Sequence, residues 1–207
     1  YPDDTSVIEW YYIVKKYFSN FNKPNLIAIH FVRNQLVDVK LEFEEIERLA
    51  YYNDWSDFYN LIIFEEMSFN QVCHLVLSKI SMLYSYRQRI QSRVLDLIPG
   101  YRKTAQIINE NIKKTNKRDM IKTYKHLENL VGLCKLNNIE LVLISHPLPN
   151  DYKIDNRLFQ KDIKFLDLKN KKKYDSTYFL DNYHLNESGA LIHMDYLANS
   201  IKNYIIN

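Results

Sequence analysis

Glycine is scarce in this chain: only Gly100, Gly132 and Gly189 occur among 207 residues, with five prolines. A turn-rich all-β domain needs more of both, because its tight turns demand positive or preset φ values. Few breakers and long charged stretches point to helices instead. Cysteine is scarcer still. Cys73 and Cys134 form no CxxC pair and no Cys/His cluster, which excludes the common zinc and redox motifs. Both fall in segments that read as amphipathic helices, where buried free thiols are expected. No run reaches the ~18 apolar residues of a membrane span. No signal peptide opens the chain, and Tyr1 in place of methionine gives the expectation of a processed or truncated product.

Apolar residues make up 46% of the chain, enough for one domain with a real core. The net charge is +3, with both signs mixed along the sequence. A nucleic-acid binder would concentrate positive charge on one face, so that class is not expected. The basic run Lys169 to Lys173, interrupted by Asn170 and followed by Tyr174, reads as a solvated loop rather than a polyanion site.

Ser6-Val7-Ile8-Glu9 fits a capping box opening a helix that turns Ile8, Tyr11, Tyr12, Val14 and Phe18 inward. Asn25 to Val32 is a short continuous apolar run, the pattern of a buried parallel strand. From about Val39 to Asn138 the spacing is helical, with Leu41, Ile46, Leu49, Val72, Leu75, Val76, Leu83 and Ile90 as core candidates. Pro99-Gly100 breaks this region. Asp119 can cap a further helix carrying Ile121, Tyr124, Leu127, Leu130, Val131 and Cys134, and Asn137-Asn138 ends it. Residues 139–144 and 164–168 supply two more strand candidates, parallel to the first, with 25–32 and 139–144 as neighbours. A last helix from Asn186 is expected to bury Leu191, Met194, Leu197, Ala198, Ile201 and Ile205. Strands alternating with helices predict an α/β fold with a parallel sheet.

The chemistry concentrates in Phe179-Leu180-Asp181-Asn182-Tyr183-His184-Leu185-Asn186-Glu187-Ser188-Gly189-Ala190. An aspartate three residues before a histidine, in a turn, can set its carboxylate on the near ring nitrogen. That fixes the tautomer and leaves the far nitrogen as a base for a hydroxyl nucleophile. Asn186 can cap the next helix, and Gly189 lets that helix approach the loop closely.

Asp181-x-x-His184, followed by Leu185-Asn186 and Gly189-Ala190, resembles the last motif of the SGNH (GDSL-like) hydrolase superfamily. The resemblance extends to residues 25–32, 139–147 and 165–168, which look like that family's third, fourth and fifth strands. The long insertion, including Ser81 to Val94 with its arginines, is most similar to the polysaccharide O-acetyltransferase-like and DltD-like branch. The resemblance implies a three-layer, flavodoxin-like parallel sheet in one domain over 1–207, N-terminally incomplete, with a helical insertion at about 39–138. It also implies a serine esterase or O-acyltransferase acting on a carbohydrate-type ester or hydroxyl, as in bacterial polysaccharide modification. His184 and Asp181 would be catalytic, with no cofactor and no metal. Two departures stand out. Tyr1 to Ser6 takes the place of the second motif's end without a glycine, so the serine is expected upstream of residue 1. The third motif, usually Gly-x-Asn-Asp, is reduced to Val32-Arg33-Asn34-Gln35, leaving either Asn34 or Arg33 as oxyanion donor.

Competing readings remain. Asp181 and His184 could form a surface turn with a helix-capping network, Asn34 could be a plain loop residue, and Arg33 reads better as an ion-pair partner than as an oxyanion donor. Ser6 is accounted for by its capping box. Ser145-His146 are adjacent at a strand end and point to opposite faces, so they make a poor dyad. His193 and Asp195 diverge on their helix, and His30, His74 and His126 read as structural. The alternatives to an enzyme are a catalytically inactive binding or assembly module of the same fold, and a helical interaction protein.

Overall fold

The computed structural model describes residues 5–20, 22–32, 35–98, 100–104, 106–107, 123–149, 163–169, 174–181 and 184–206. It is an α/β structure with a three-stranded parallel sheet and a predominance of helix. Among the described residues, no helix is long and apolar enough to cross a membrane. The chain divides into two compact units, Tyr1–Asn20 with Val37–His126, and Phe21–Leu36 with Leu127–Asn207.

The first unit is helical. It holds α1 (Val7–Asn20), α2 (Phe43–Tyr52), α3 (Phe58–Phe64), α4 (Phe69–Ile80), α5 (Met82–Ser85) and α6 (Arg87–Leu97). Ser6 opens α1 with the glutamate half of its expected capping box, while its hydroxyl donates to Glu9 rather than accepting a helix N–H. Its backbone N–H and its hydroxyl both donate to the buried Glu9 carboxylate, which also receives the Arg48 guanidinium. Ser68 and Gln71 form the full reciprocal capping box at the start of α4. Ile8 and Tyr12 of α1, Ile46, Leu49 and Ala50 of α2, Phe58 and Leu61 of α3, and Leu75 of α4 close a single core with Val39 and Leu41.

Some expected core positions are not in it. Leu83 is 73% exposed and Ile90 40%. Cys73 is exposed, whereas Cys134 is buried. The buried face of α4 is His74, Leu75 and Ser78, one position out of phase with the cysteine. The hydrophobic spacing thus marks the helix correctly but mixes its two faces. The cap expected at Asp119 and the helical position of Ile121 lie outside the described residues.

The second unit carries the sheet. β1 (Leu26–Phe31), β2 (Glu140–Ser145) and β3 (Lys164–Asp167) lie in the order β1-β2-β3, all parallel, with Leu26 opposite Glu140 and Val142 opposite Lys164. The middle strand is buried from Leu141 to Ser145, as a continuous apolar run requires. Helix α7 (Lys125–Leu136) buries Leu127, Leu130 and Cys134. Asn138 ends it in the left-handed region at φ 55°, with Ile139 N–H donating to Cys134 O and Asn138 N–H to Lys135 O. This is a Schellman closure, and asparagine tolerates that φ better than most residues.

Helix α8 (Glu187–Ile206) is the last described element. Its Tyr196 and Leu197 pack on Val142, Ile144 and Leu168. The inward face is otherwise not the expected one, since Leu191 is 65% exposed and Met194 60%, and Ala198 is exposed. His193, set aside on the sequence, is buried instead. An apolar stripe is a guide to the inner face only where polar side chains do not take part in packing.

Candidate functional site

The turn that carries Asp181 and His184 is built by backbone pairing. Asp175 caps a short 3-10 turn, Ser176–Tyr178, by accepting from Thr177 N–H at 2.8 Å. Phe179 then pairs antiparallel with Leu185, Leu180 N–H donates to His184 O at 2.7 Å, and Asn186 N–H donates to Tyr178 O at 2.9 Å. Within this hairpin-like closure the Asp181 carboxylate takes two bonds from one residue. Oδ1 accepts the His184 amide at 2.8 Å, and Oδ2 lies 2.7 Å from His184 Nδ1. A carboxylate so placed favours the tautomer protonated at Nδ1 and makes Nε2 the basic nitrogen. Both side chains are about half exposed, so the ring faces solvent rather than the core.

The helix behind the turn is fixed just as tightly. Asn186 Oδ1 accepts from Gly189 N–H at 2.9 Å, and its Nδ2 donates to Thr177 O at 2.6 Å. Gly189 has no room for a side chain: a Cβ there would lie 2.3 Å from Tyr178 O. The spacing Asp-x-x-His-x-Asn-x-x-Gly therefore ties turn and helix into one piece, as the sequence pattern suggests.

The serines near these motifs have other duties. Ser6 is wholly buried and bound to Glu9. Ser145 is also wholly buried; its hydroxyl donates to Asp167 Oδ1 at 2.7 Å and accepts from Leu168 N–H at 3.0 Å. Ser188 stands exposed in the first turn of α8. Arg33 and Asn34, the two oxyanion candidates, lie outside the described residues, as do residues 170–173 of the basic run.

Two arrangements escaped the sequence reading. In the helical unit, Asp38 serves as a distant cap: its carboxylate accepts from Lys125 N–H at 2.6 Å, His126 N–H at 3.1 Å and Thr123 Oγ1 at 2.7 Å. His126 is held between two carboxylates, Nδ1 at 2.7 Å from Asp38 and Nε2 at 2.9 Å from Glu65. Burial opposes its charge, but the hydrogen bonds to Asp38 and Glu65 outweigh burial and raise it to about 9. Burial likewise opposes ionisation of Asp38, and the bonds from His126 and Thr123 prevail, lowering it to about 2. This histidine is structural, as expected. So is His74, set between Glu47 and Tyr84 at 3.2 Å each.

In the sheet unit, His30, His146 and His193 gather so closely that one ring nitrogen from each lies within 4.8 Å of the others. His30 sits on β1, His146 directly follows β2, and His193 belongs to α8. The sheet register puts His30 opposite Ile144, so alternation places His30 and His146 on the same face. Burial, and then the neighbouring His30, push the His193 imidazole down to about 4. Partial desolvation of its ring also lowers His30, although the residue as a whole is exposed. No sequence spacing could have signalled this cluster, because its members come from three separate elements. Compared with family models, with curated proteins and with solved structures, the chain finds no match in any of the three.

Proposed function

We propose that the Asp181–His184 turn is the acid–base half of an SGNH-type serine esterase or O-acyltransferase. The observation that supports this reading is the double hold of Asp181 on His184, through the amide and Nδ1, in a turn braced by Asn186 and Gly189. A turn that served only to cap α8 needs Asn186 and no carboxylate on the imidazole. The order β1-β2-β3 also agrees with reading these strands as the third, fourth and fifth of such a sheet.

In this reading the nucleophile is a serine N-terminal to residue 1. His184 Nε2 takes the serine proton as Oγ attacks an acyl carbonyl, and returns a proton to the departing alcohol. The acyl-serine is then released to water or to a sugar hydroxyl, activated by the same nitrogen. Asp181 orients the ring and steadies its positive charge. Asn34 or Arg33 would donate to the tetrahedral oxyanion. The acyl acceptor is taken to be a carbohydrate-type hydroxyl.

A second reading, an inactive binding module of the same fold, is favoured by the commitment of Ser6 and Ser145 to buried hydrogen bonds. One experiment separates the two. The protein together with any sequence preceding Tyr1 is treated with a fluorophosphonate, which labels activated serines. Labelling at a serine upstream, lost in His184→Ala, supports the enzyme. No labelling supports the module, and labelling indifferent to His184 removes the role proposed for this turn.

A further inference from the structure

We propose that His30, His146 and His193 bind a single divalent transition-metal ion of the zinc class, with a coordination position left open to solvent. The inference stands apart from the Asp181–His184 turn and uses none of its residues.

Three of the six histidines in the chain converge here, and one nitrogen of each already lies within 4.8 Å of the other two. Zinc bonds of about 2.0–2.1 Å separate tetrahedral ligands by roughly 3.4 Å, so the rings need to close by at most ~1.5 Å. Rotation about side-chain torsions covers that distance. A plain aromatic cluster is the competing account, since His193 meets His30 and His146 edge-on, with ring centres 5.6 and 5.1 Å apart. One atom decides between them. His193 is only 6% exposed, and its Nε2 is buried with no hydrogen-bond partner among the described residues. Ring packing alone leaves that nitrogen unsatisfied, at a cost on the order of 1–3 kcal/mol. A metal ion satisfies it.

The far side of the same ring supports the assignment. His193 Nδ1 lies 3.0 Å from the Tyr174 hydroxyl. With Nδ1–H donated to the phenol oxygen, the lone pair falls on Nε2, which is how bound histidines are usually oriented by an outer partner. An all-imidazole set selects zinc, copper or nickel over magnesium and calcium, which prefer oxygen. His30 is exposed, which keeps one side accessible. The cluster lies toward the carboxyl ends of β1 and β2, where open parallel sheets place their ligands.

The test is metal titration of the 207-residue chain, freed of any purification tag and stripped with a chelator. Zinc should bind with one ion per chain, and cobalt(II) should give the visible absorption of a four-coordinate histidine site. His30→Ala and His193→Ala should each weaken zinc binding by more than ~100-fold, and Tyr174→Phe by ~10-fold or more, while His184→Ala leaves it unchanged. His30 is exposed, so its substitution keeps the fold intact even if His193→Ala does not. No stoichiometric binding, full affinity in His30→Ala, or loss of binding in His184→Ala would each overturn the proposal.

Discussion

Asp38 and His126 meet twice, ring nitrogen to carboxylate at 2.7 Å and amide to carboxylate at 3.1 Å, so one aspartate both pairs a buried imidazolium and caps a helix. The two groups set opposite limits on pH stability. Asp38 is lowered from 3.8 to about 2, so its contribution is present above pH ~4 and is lost as pH falls through the lower value. His126 is raised from 6.5 to about 9, so its contribution is full below pH ~6.5 and disappears as pH rises through the upper value. Thermal unfolding across pH should therefore show a plateau from roughly pH 4 to 6.5 that declines on both sides. In Asp38→Asn the plateau should drop by about 3–5 kcal/mol, because His126 loses one of its two buried partners. An unchanged melting profile in that variant would show that the pair contributes nothing.

Gly189→Ala tests the close approach of helix and turn. In an ordinary helix this change gains up to ~1 kcal/mol. Here the new Cβ meets Tyr178 O at 2.3 Å, a backbone atom that cannot swing aside. A net loss of about 1–3 kcal/mol is expected in chemical denaturation. A gain in stability would mean that the turn gives way at no cost.

Asn138 offers the opposite sign. Its φ of 55° suits glycine better than any side chain. Asn138→Gly should be neutral or stabilising by a few tenths of a kcal/mol, and Asn138→Val destabilising by about 1–2 kcal/mol. Melting temperatures of the two variants, measured side by side, give the comparison.

Asp181→Asn addresses the proposed chemistry. An amide cannot stabilise an imidazolium, and it favours the wrong tautomer of His184. If the proposed nucleophilic serine is present, its fluorophosphonate labelling should fall by about 10³–10⁴-fold, with the melting temperature nearly unchanged because both side chains are half exposed. A loss of labelling that merely tracks a loss of fold would remove the catalytic role.

The parallel sheet was legible because β1 and β2 are apolar runs bounded by turn residues, but only β2 has the burial on both faces that such a run implies, since β1 leaves Ala28 and His30 exposed. The Asp181–His184 bond was legible because it spans three residues and depends only on local geometry. Arrangements assembled across the chain were not. Asp38 reaches residues more than eighty positions away, and nothing at position 38 marks it as a cap. On α8, Leu191 and Met194 draw the expected helix phase toward themselves and away from His193, yet packing buries the histidine. The same misreading hides the histidine cluster, since a buried His193 is the condition for seeing it. Cys73 goes astray for a related reason: it is apolar and helical, and on the wrong side of α4 by one position.

The pairing of Leu26 with Glu140 has a kinetic side. The two neighbouring strands are separated by nearly the whole helical unit, so at ~5–20 residues per second a ribosome releases β2 roughly 5–20 s after β1. Through that interval the first strand lacks its β2 neighbour, while the helices between them, dominated by local contacts, can form within microseconds to milliseconds. Nascent β1 is thus the segment most in need of protection during synthesis. Substitutions that slow completion of the sheet should show themselves as aggregation in the cell before any loss of equilibrium stability is measurable.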